Sequence, residues 1–146
     1  MNDLVASIPK SELHLHLEGA MPVEVFAQLL LKHPVKEVWH GVPLRYRVWL
    51  LQYRNIRRFV HSPNHSVESL AELFRTSTFF NFLATFALTV HFIKDIADLS
   101  MVITNVLDRL RTQNVVYAEI TISIPAYLRQ GIPLADICTC LDEATK

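Results

Sequence analysis

The sequence predicts an α/β fold in which parallel strands alternate with amphipathic helices. Two stretches, residues 11–18 and 115–124, alternate between apolar and polar side chains, which is the period-two pattern of β-strands. Between them, apolar residues recur at three- and four-residue spacing from about Asp95 to Thr112, as in a long amphipathic helix. Strands that are separated by helices usually pair in parallel. The predicted order is therefore strand, helix, helical insertion, long helix, strand and helix.

The first predicted strand has one polar and one apolar face. Its residues are Glu12, His14, His16 and Glu18, alternating with Leu13, Leu15 and Leu17. Because each residue advances about 3.3 Å, side chains two apart stand roughly 7 Å apart, and two imidazoles at this spacing can converge on one metal ion. An isolated His-x-His is more often an ordinary surface feature. The histidine face would meet solvent in an open sheet and the lumen in a closed barrel.

Prolines bound the first helix and interrupt the segment that follows it. Pro22 suits a first helical turn, and Pro34 lies just beyond the predicted helix end near His33. Residues 34–66 are the least regular part of the chain, and a short helix is predicted there at about residues 44–59. Its inward side chains are expected to be Val48, Leu51 and Phe59.

The remaining elements follow from capping residues and β-branched runs. Ser66 is suited to cap a helix that runs to Arg75. The second strand is rich in β-branched residues and again has two faces. One face carries Val116, Ala118, Ile120, Ile122 and Ile124, and the other carries Tyr117, Glu119, Thr121 and Ser123. A last helix is expected after Gly131.

Composition indicates a globular protein and argues against several functional classes. Of the 146 residues 51% are hydrophobic and 19% are charged, which is unlike a disordered chain. The 14 basic and 14 acidic residues balance, so there is no overall attraction to nucleic acid or anionic lipid.

Neither a signal peptide nor a convincing membrane span is recognisable, and we expect a cytoplasmic protein without a membrane partner. Cys138 and Cys140 point in different directions on the last predicted helix, which disfavours a disulfide.

One segment combines basic and aromatic residues without any acid. It contains Arg45, Arg47, Arg54, Arg57 and Arg58 interleaved with Tyr46, Trp49 and Tyr53. This composition is compatible with a nucleic-acid surface. The alternative is a helix whose arginines extend along its surface to solvent. We favour the helix, because the whole chain has no basic excess.

Three stretches resemble the adenosine and adenine deaminases, zinc enzymes of the metal-dependent amidohydrolase superfamily. Residues 9–20 fit every place of their opening pattern, Pro-Lys-x-Glu-Leu-His-x-His-Leu-(Asp or Glu)-Gly-(Ala, Ser or Thr). Residues 114–123 resemble their second strand, although Thr121 stands where arginine is frequent. The aromatic run 79–86 resembles a helix beside their substrate pocket. Most of its aromatic side chains are expected in the core, with one or two lining a pocket for a flat base.

The resemblance implies a partial (β/α)8 TIM barrel that comprises the first two β/α units with a helical insertion. Such barrels need at least about 200 residues, so residues 1–146 are interpreted as an incomplete domain, the N-terminal part of a purine deaminase barrel. The missing C-terminal portion of the barrel is an expected partner. The implied enzyme is a hydrolase acting on the C–N bonds of cyclic amidines.

The implied reaction is the zinc-dependent hydrolytic deamination of adenosine or a related aminopurine, which releases ammonia. One Zn²⁺ is expected per complete active site, with His14 and His16 as metal ligands. His16 and Glu18 are the expected contacts to a purine nucleoside or base. Glutamate in place of aspartate at position 18 favours a substrate other than adenosine alone. The other catalytic residues are expected beyond the C-terminus.

Two further functions remain open from the sequence. One is a catalytically dead interaction module that retains this part of the fold. The other, which we favour less, is a nucleic-acid-binding module that uses the segment Arg45 to Arg58.

Overall fold

The computed structural model describes residues 2–76 and 78–145, which form two compact units. The first unit contains residues 2–22 and 95–145, and the second is the continuous segment Val23–Lys94. In chain order the elements are α1 (Asn2–Ser7), β1 (Lys10–His16), a 3₁₀ turn (Leu17–Gly19), α2 (Val23–Lys32), α3 (Val35–Gly41), α4 (Leu44–Leu50), α5 (Arg54–His61), α6 (Val67–Phe74), α7 (Phe79–Val90), α8 (Ile96–Thr112), β2 (Val115–Thr121), α9 (Ile124–Arg129) and α10 (Leu134–Ala144).

The two strands pair in parallel, which confirms the predicted α/β class and strand direction. Lys10 is the register partner of Val115, and His16 is the partner of Thr121. The ladder has two irregularities, one of which places both Leu13 and His14 between the paired positions Glu12 and Leu15. Leu13 lies at this irregularity and is 64% exposed, so the prediction that it shares a packed leucine face is wrong.

Polar side chains join the amino ends of the two strands. The Lys10 ammonium donates hydrogen bonds to three backbone carbonyls, those of Ala6, Ile8 and Gln113, at 3.2, 3.0 and 2.8 Å. The Asn114 side-chain amide donates to the carbonyl of Ser7 at 2.6 Å. These bonds connect the entry to β1 with the link between α8 and β2, and so help to fix the register of the pair.

The long helix α8 provides much of the core of the first unit. Asp95 caps its start, and a reciprocal pair of hydrogen bonds with Asp98 forms a capping box. Its buried apolar side chains are Leu99, Val102, Ile103 and Val106. The helix contacts β2, the 3₁₀ turn and α10, so its apolar stripe is covered as the periodicity predicts.

The second unit is built from helices around an aromatic core. The ring of Phe26, which is fully buried, lies 5.9 Å from Phe59, 5.4 Å from Phe74 and 5.1 Å from Phe92 between centroids. The last two contacts are edge-to-face, which is a favourable arrangement of aromatic quadrupoles. Ser66 caps α6 as predicted, because its side chain accepts a hydrogen bond from the backbone N–H of Ser69.

Three sequence-based expectations are corrected. The helix predicted at residues 44–59 is two helices, α4 and α5, and Val48 is 58% exposed rather than inward. The second strand ends at Thr121, because residues from Ile124 onward turn into α9. The aromatic residues at the start of α7 are largely exposed rather than in the core, namely Phe79, Phe80 and Phe82.

In the part of the chain that the structure describes, no helix has both the length and the apolar character needed to cross a membrane.

Candidate functional site

The candidate site lies in the first unit, where both strands end at the same edge of the parallel sheet. His16 and Thr121 are the final residues of β1 and β2 and are register partners. Glu18 follows in the 3₁₀ turn, and Ser123 follows β2 directly. The carboxyl ends of parallel strands are where α/β proteins build their active sites, because the loops after the strands converge there.

The two histidines of β1 point their rings at each other. Their Nε2 atoms are 3.1 Å apart, within hydrogen-bonding distance, and their ring centroids are 5.1 Å apart. Both side chains are exposed. This arrangement is possible because residues two apart on a strand share one face.

The spacing of the two nitrogens fits a zinc ion. Zinc binds imidazole nitrogen at about 2.0–2.1 Å in tetrahedral geometry, which separates two ligand nitrogens by about 3.4 Å. His14 and His16, with Nε2 atoms 3.1 Å apart, could therefore supply two of the four ligands after a small adjustment. Within residues 2–76 and 78–145, no third histidine, cysteine or carboxylate joins this pair to form a three-ligand group.

Glu18 is fully buried, with none of its surface exposed. Its Oε1 atom accepts a hydrogen bond from the backbone N–H of Ser123 at 2.7 Å and another from the hydroxyl of Tyr127. Its Oε2 atom is buried without a hydrogen-bond partner among the described residues. The sequence predicts Glu18 as the last polar residue of a strand, whereas the structure places it in the turn that follows the strand.

Tyr127 is held as a hydrogen-bond donor. Its side chain is fully buried on α9. Burial raises the pKa of its hydroxyl far above the ordinary value, and the negative charge and hydrogen bond of Glu18 raise this pKa further. The raised pKa favours the protonated phenol, which donates its hydrogen bond to Glu18.

The sequence-based reasoning placed Ser123 on the polar face of β2 but did not identify Tyr127. Tyr127 stands 109 positions from Glu18, so no local pattern links the two residues. The only available signal was a large aromatic residue with a polar tip shortly after the end of a strand. The roles expected for His14, His16 and Glu18 toward metal and substrate stay predictions.

Comparison with known proteins places the chain in a family. The family model for adenosine deaminase matches residues 48–146. An adenine deaminase from Crocosphaera subtropica is 25% identical over 146 residues, which are 100% of this chain and 37% of the relative. An aminodeoxyfutalosine deaminase from Streptomyces avermitilis is also 25% identical over 146 residues, covering 100% of this chain and 34% of the relative.

A third relative is similar over a shorter region. An adenine deaminase from Bordetella avium is 33% identical over 60 residues, which are 41% of this chain and 18% of the relative. The chain spans about a third of the length of the first two relatives. Because the family model matches most of the chain, the chain belongs to the adenosine deaminase family.

Proposed function

We propose that this chain is the N-terminal part of a zinc-dependent hydrolase that deaminates an aminopurine and releases ammonia. The observation that carries the proposal is the pair of Nε2 atoms 3.1 Å apart on β1, at the carboxyl edge of a parallel sheet. The relatives named above are two adenine deaminases and one aminodeoxyfutalosine deaminase, so the family supports deamination but leaves the substrate open.

Each residue of the site has a proposed task. His14 and His16 would hold the metal as neutral imidazoles through Nε2. Zinc in such a site supplies Lewis acidity that makes water a nucleophile near neutral pH. Glu18 would accept a hydrogen bond from an N–H or O–H group of the substrate through Oε2, the atom that has no partner in the described chain. Because Glu18 is fully buried, this contact would need a local rearrangement when the substrate binds. Ser123 and Tyr127 keep the other carboxylate oxygen in place.

The remaining catalytic groups are proposed to come from the rest of a (β/α)8 barrel. The family relatives are about three times as long as this chain, and two strands do not close a barrel. A polypeptide that supplies the later strands is therefore the proposed partner. It would contribute the other metal ligands and the groups that transfer protons.

Zinc titration of the purified chain tests the metal site directly. Isothermal titration calorimetry is expected to show weak zinc binding at this site, because within the described residues only His14 and His16 supply ligands to it. His14→Ala and His16→Ala should each weaken zinc binding at least about tenfold. His61→Ala is the matched control, since His61 is exposed at the end of α5 in the other unit. If all three substitutions change the zinc affinity equally, the proposed zinc site is wrong.

An ammonia-release assay tests the need for the missing strands. The purified chain with zinc should not deaminate adenosine or adenine. Ammonia release that depends on zinc and is lost in His14→Ala would show instead that these residues suffice. If the chain is a catalytically dead interaction module, it should fold as a stable, monodisperse species without zinc and should not bind zinc through His14.

A further inference from the structure

A cavity lies in the helical unit Val23–Lys94, separate in sequence from the strands. It has a volume of about 370 Å³, within the range of small-molecule sites. Its walls come from α5, α6 and the start of α7. We call it the basic cavity, because three of its lining residues are Arg54, Arg58 and Arg75.

The charges of the basic cavity do not balance. Its one carboxylate, Glu72, lies 3.6 Å from Arg58, and both side chains are more than 60% exposed. Such an exposed pair contributes little to binding or stability. Among the described residues, no carboxylate lies within ion-pairing distance of Arg54 or Arg75. In a chain whose basic and acidic residues balance, this cavity concentrates an excess of positive charge.

The position of the arginines suits a tetrahedral oxyanion. Arg54 and Arg58 are four residues apart and lie on one face of α5, while Arg75 follows the end of α6. Guanidinium groups stay charged at all relevant pH values and bind phosphate through two parallel N–H donors. Two arginines from one helix and one from the next can therefore approach a phosphoryl group from different sides.

The polar and aromatic lining adds features that a bare ion would not need. The Asn55 side-chain amide donates to Thr85 and to the carbonyl of Leu73, but its Oδ1 atom is buried without a partner in the described chain. A ligand hydroxyl or amino group could satisfy that acceptor. The ring centroids of Phe59 and His65 lie 4.6 Å apart, and the two rings form an aromatic part of the cavity wall.

His65 adds no positive charge of its own near neutral pH. Burial lowers the pKa of its imidazole below the ordinary value of 6.5, so the neutral form predominates. The positive potential of the cavity therefore comes from the arginines.

We propose that the basic cavity binds the phosphoryl group of a small molecule. The proposal does not rest on the histidine pair of β1 or on the proposed deamination. The ligand class is either free phosphate or a phosphorylated organic molecule, whose additional hydrogen-bond donors would reach Asn55.

Binding of defined probes to the full 146-residue chain tests the proposal. The probes are inorganic phosphate, ribose 5-phosphate, AMP and, as a probe without phosphate, adenosine. Arg54→Gln and Arg75→Gln should each weaken phosphate-dependent binding at least about tenfold, because each removes a charge-assisted donor pair. Arg57→Gln removes the same charge from the same helix at a position outside the cavity, and it should change the affinity less than twofold.

The pattern of affinities identifies the ligand class. Tighter binding of AMP or ribose 5-phosphate than of phosphate would support a phosphorylated organic ligand, and equal affinities would support free phosphate. Equal weakening by Arg57→Gln and Arg54→Gln would overturn the proposal. So would the failure of inorganic phosphate, ribose 5-phosphate and AMP all to bind.

Chemical modification provides a test that does not depend on the folding of variants. Phenylglyoxal reacts with accessible guanidinium groups, and peptide mass spectrometry reports the rate at each arginine. A saturating phosphorylated probe should slow the modification of Arg54, Arg58 and Arg75 several-fold while Arg57 reacts at an unchanged rate. If the probe leaves the modification rate of each of the four arginines unchanged, the result contradicts a phosphoryl site.

Discussion

At the scale of single residues, the most consequential contact is the one between Tyr127 and Glu18. Glu18 is a fully buried carboxylate, and burying a charge is costly unless hydrogen bonds replace its hydration. Only two donors, the Ser123 N–H and the Tyr127 hydroxyl, reach it within the described chain, and both bind the same oxygen. The geometry of the candidate site therefore depends on a side chain that would not touch the metal.

We predict that Tyr127→Phe destabilises the protein by about 2–3 kcal/mol, because it removes one of two donors from a buried carboxylate. Urea denaturation followed by circular dichroism measures the change in the free energy of unfolding. The matched control is Tyr117→Phe, since the Tyr117 hydroxyl also donates to a glutamate, Glu119, but this pair is exposed. The control should cost less than about 0.5 kcal/mol. If both substitutions lower the free energy of unfolding equally, the burial of Glu18 does not set the energetic importance of its hydrogen bond.

The sequence predicted part of this arrangement. His14 and His16 share a face because they are two residues apart on a strand, and that rule needs no knowledge of the rest of the fold. The partners of Glu18 could not be predicted in the same way, because they depend on where β2 stops and α9 begins. The strand pattern continues through Ile122 and Ile124, and it does not mark the turn at Ser123.

At the scale of elements, the junction between α8 and β2 determines how the second strand enters the sheet. Asn114 has a φ of 58°, in the left-handed region that few residues other than glycine adopt. Its side-chain amide donates to the carbonyl of Ser7, and its own carbonyl accepts from the N–H of Lys10 at 2.9 Å. One residue therefore ends the helix, turns the chain and bonds to the start of the neighbouring strand.

We predict that Asn114→Ala costs about 2 kcal/mol, because alanine tolerates the left-handed conformation poorly and loses the hydrogen bond to Ser7. Asn114→Gly should cost about 1 kcal/mol, since glycine adopts this conformation freely but cannot replace the bond. Comparing the free energies of unfolding of both variants with that of the parent chain separates the two effects. If the glycine variant is as unstable as the alanine variant, backbone conformation contributes nothing at this position.

Elements were predictable where their signals were local. The spacing of Leu99, Ile103 and Val106 marks α8, and Asp95 marks its start, so both were predicted and observed. The break between α4 and α5 was not predicted, because residues 44–59 contain no glycine or proline that would end a helix. Leu50 at the end of α4 and Ile56 in α5 are both buried, and the local sequence does not reveal such packing.

At the scale of the whole molecule, the chain is an α/β unit interrupted by a continuous helical segment. The first unit needs residues from both ends of the described chain, because β1 and β2 are separated by 98 positions between Leu17 and Asn114. The second unit, Val23–Lys94, has its own aromatic core and capped helices. Its core contacts join distant parts of the same segment, since Phe26 of α2 meets Phe74 of α6 and Phe92 after α7.

We predict that the segment Val23–Lys94 folds when it is produced alone. It should give a helical circular dichroism spectrum and a cooperative thermal transition. Phe26→Ala should abolish the transition, because truncating a fully buried phenylalanine costs about 3–5 kcal/mol, most of the stability available to a domain of this size.

Phe79→Ala is the matched control, since the same substitution is made at a side chain that is 69% exposed. It should leave the midpoint of the thermal transition within a few degrees of that of the unmodified segment, because a surface truncation usually changes the free energy of unfolding by less than about 0.5 kcal/mol. A segment without a cooperative transition would show that the helical insertion depends on the strands for its fold. A segment that unfolds cooperatively would show that this segment, with the basic cavity, forms independently of β1, the strand that carries His14 and His16.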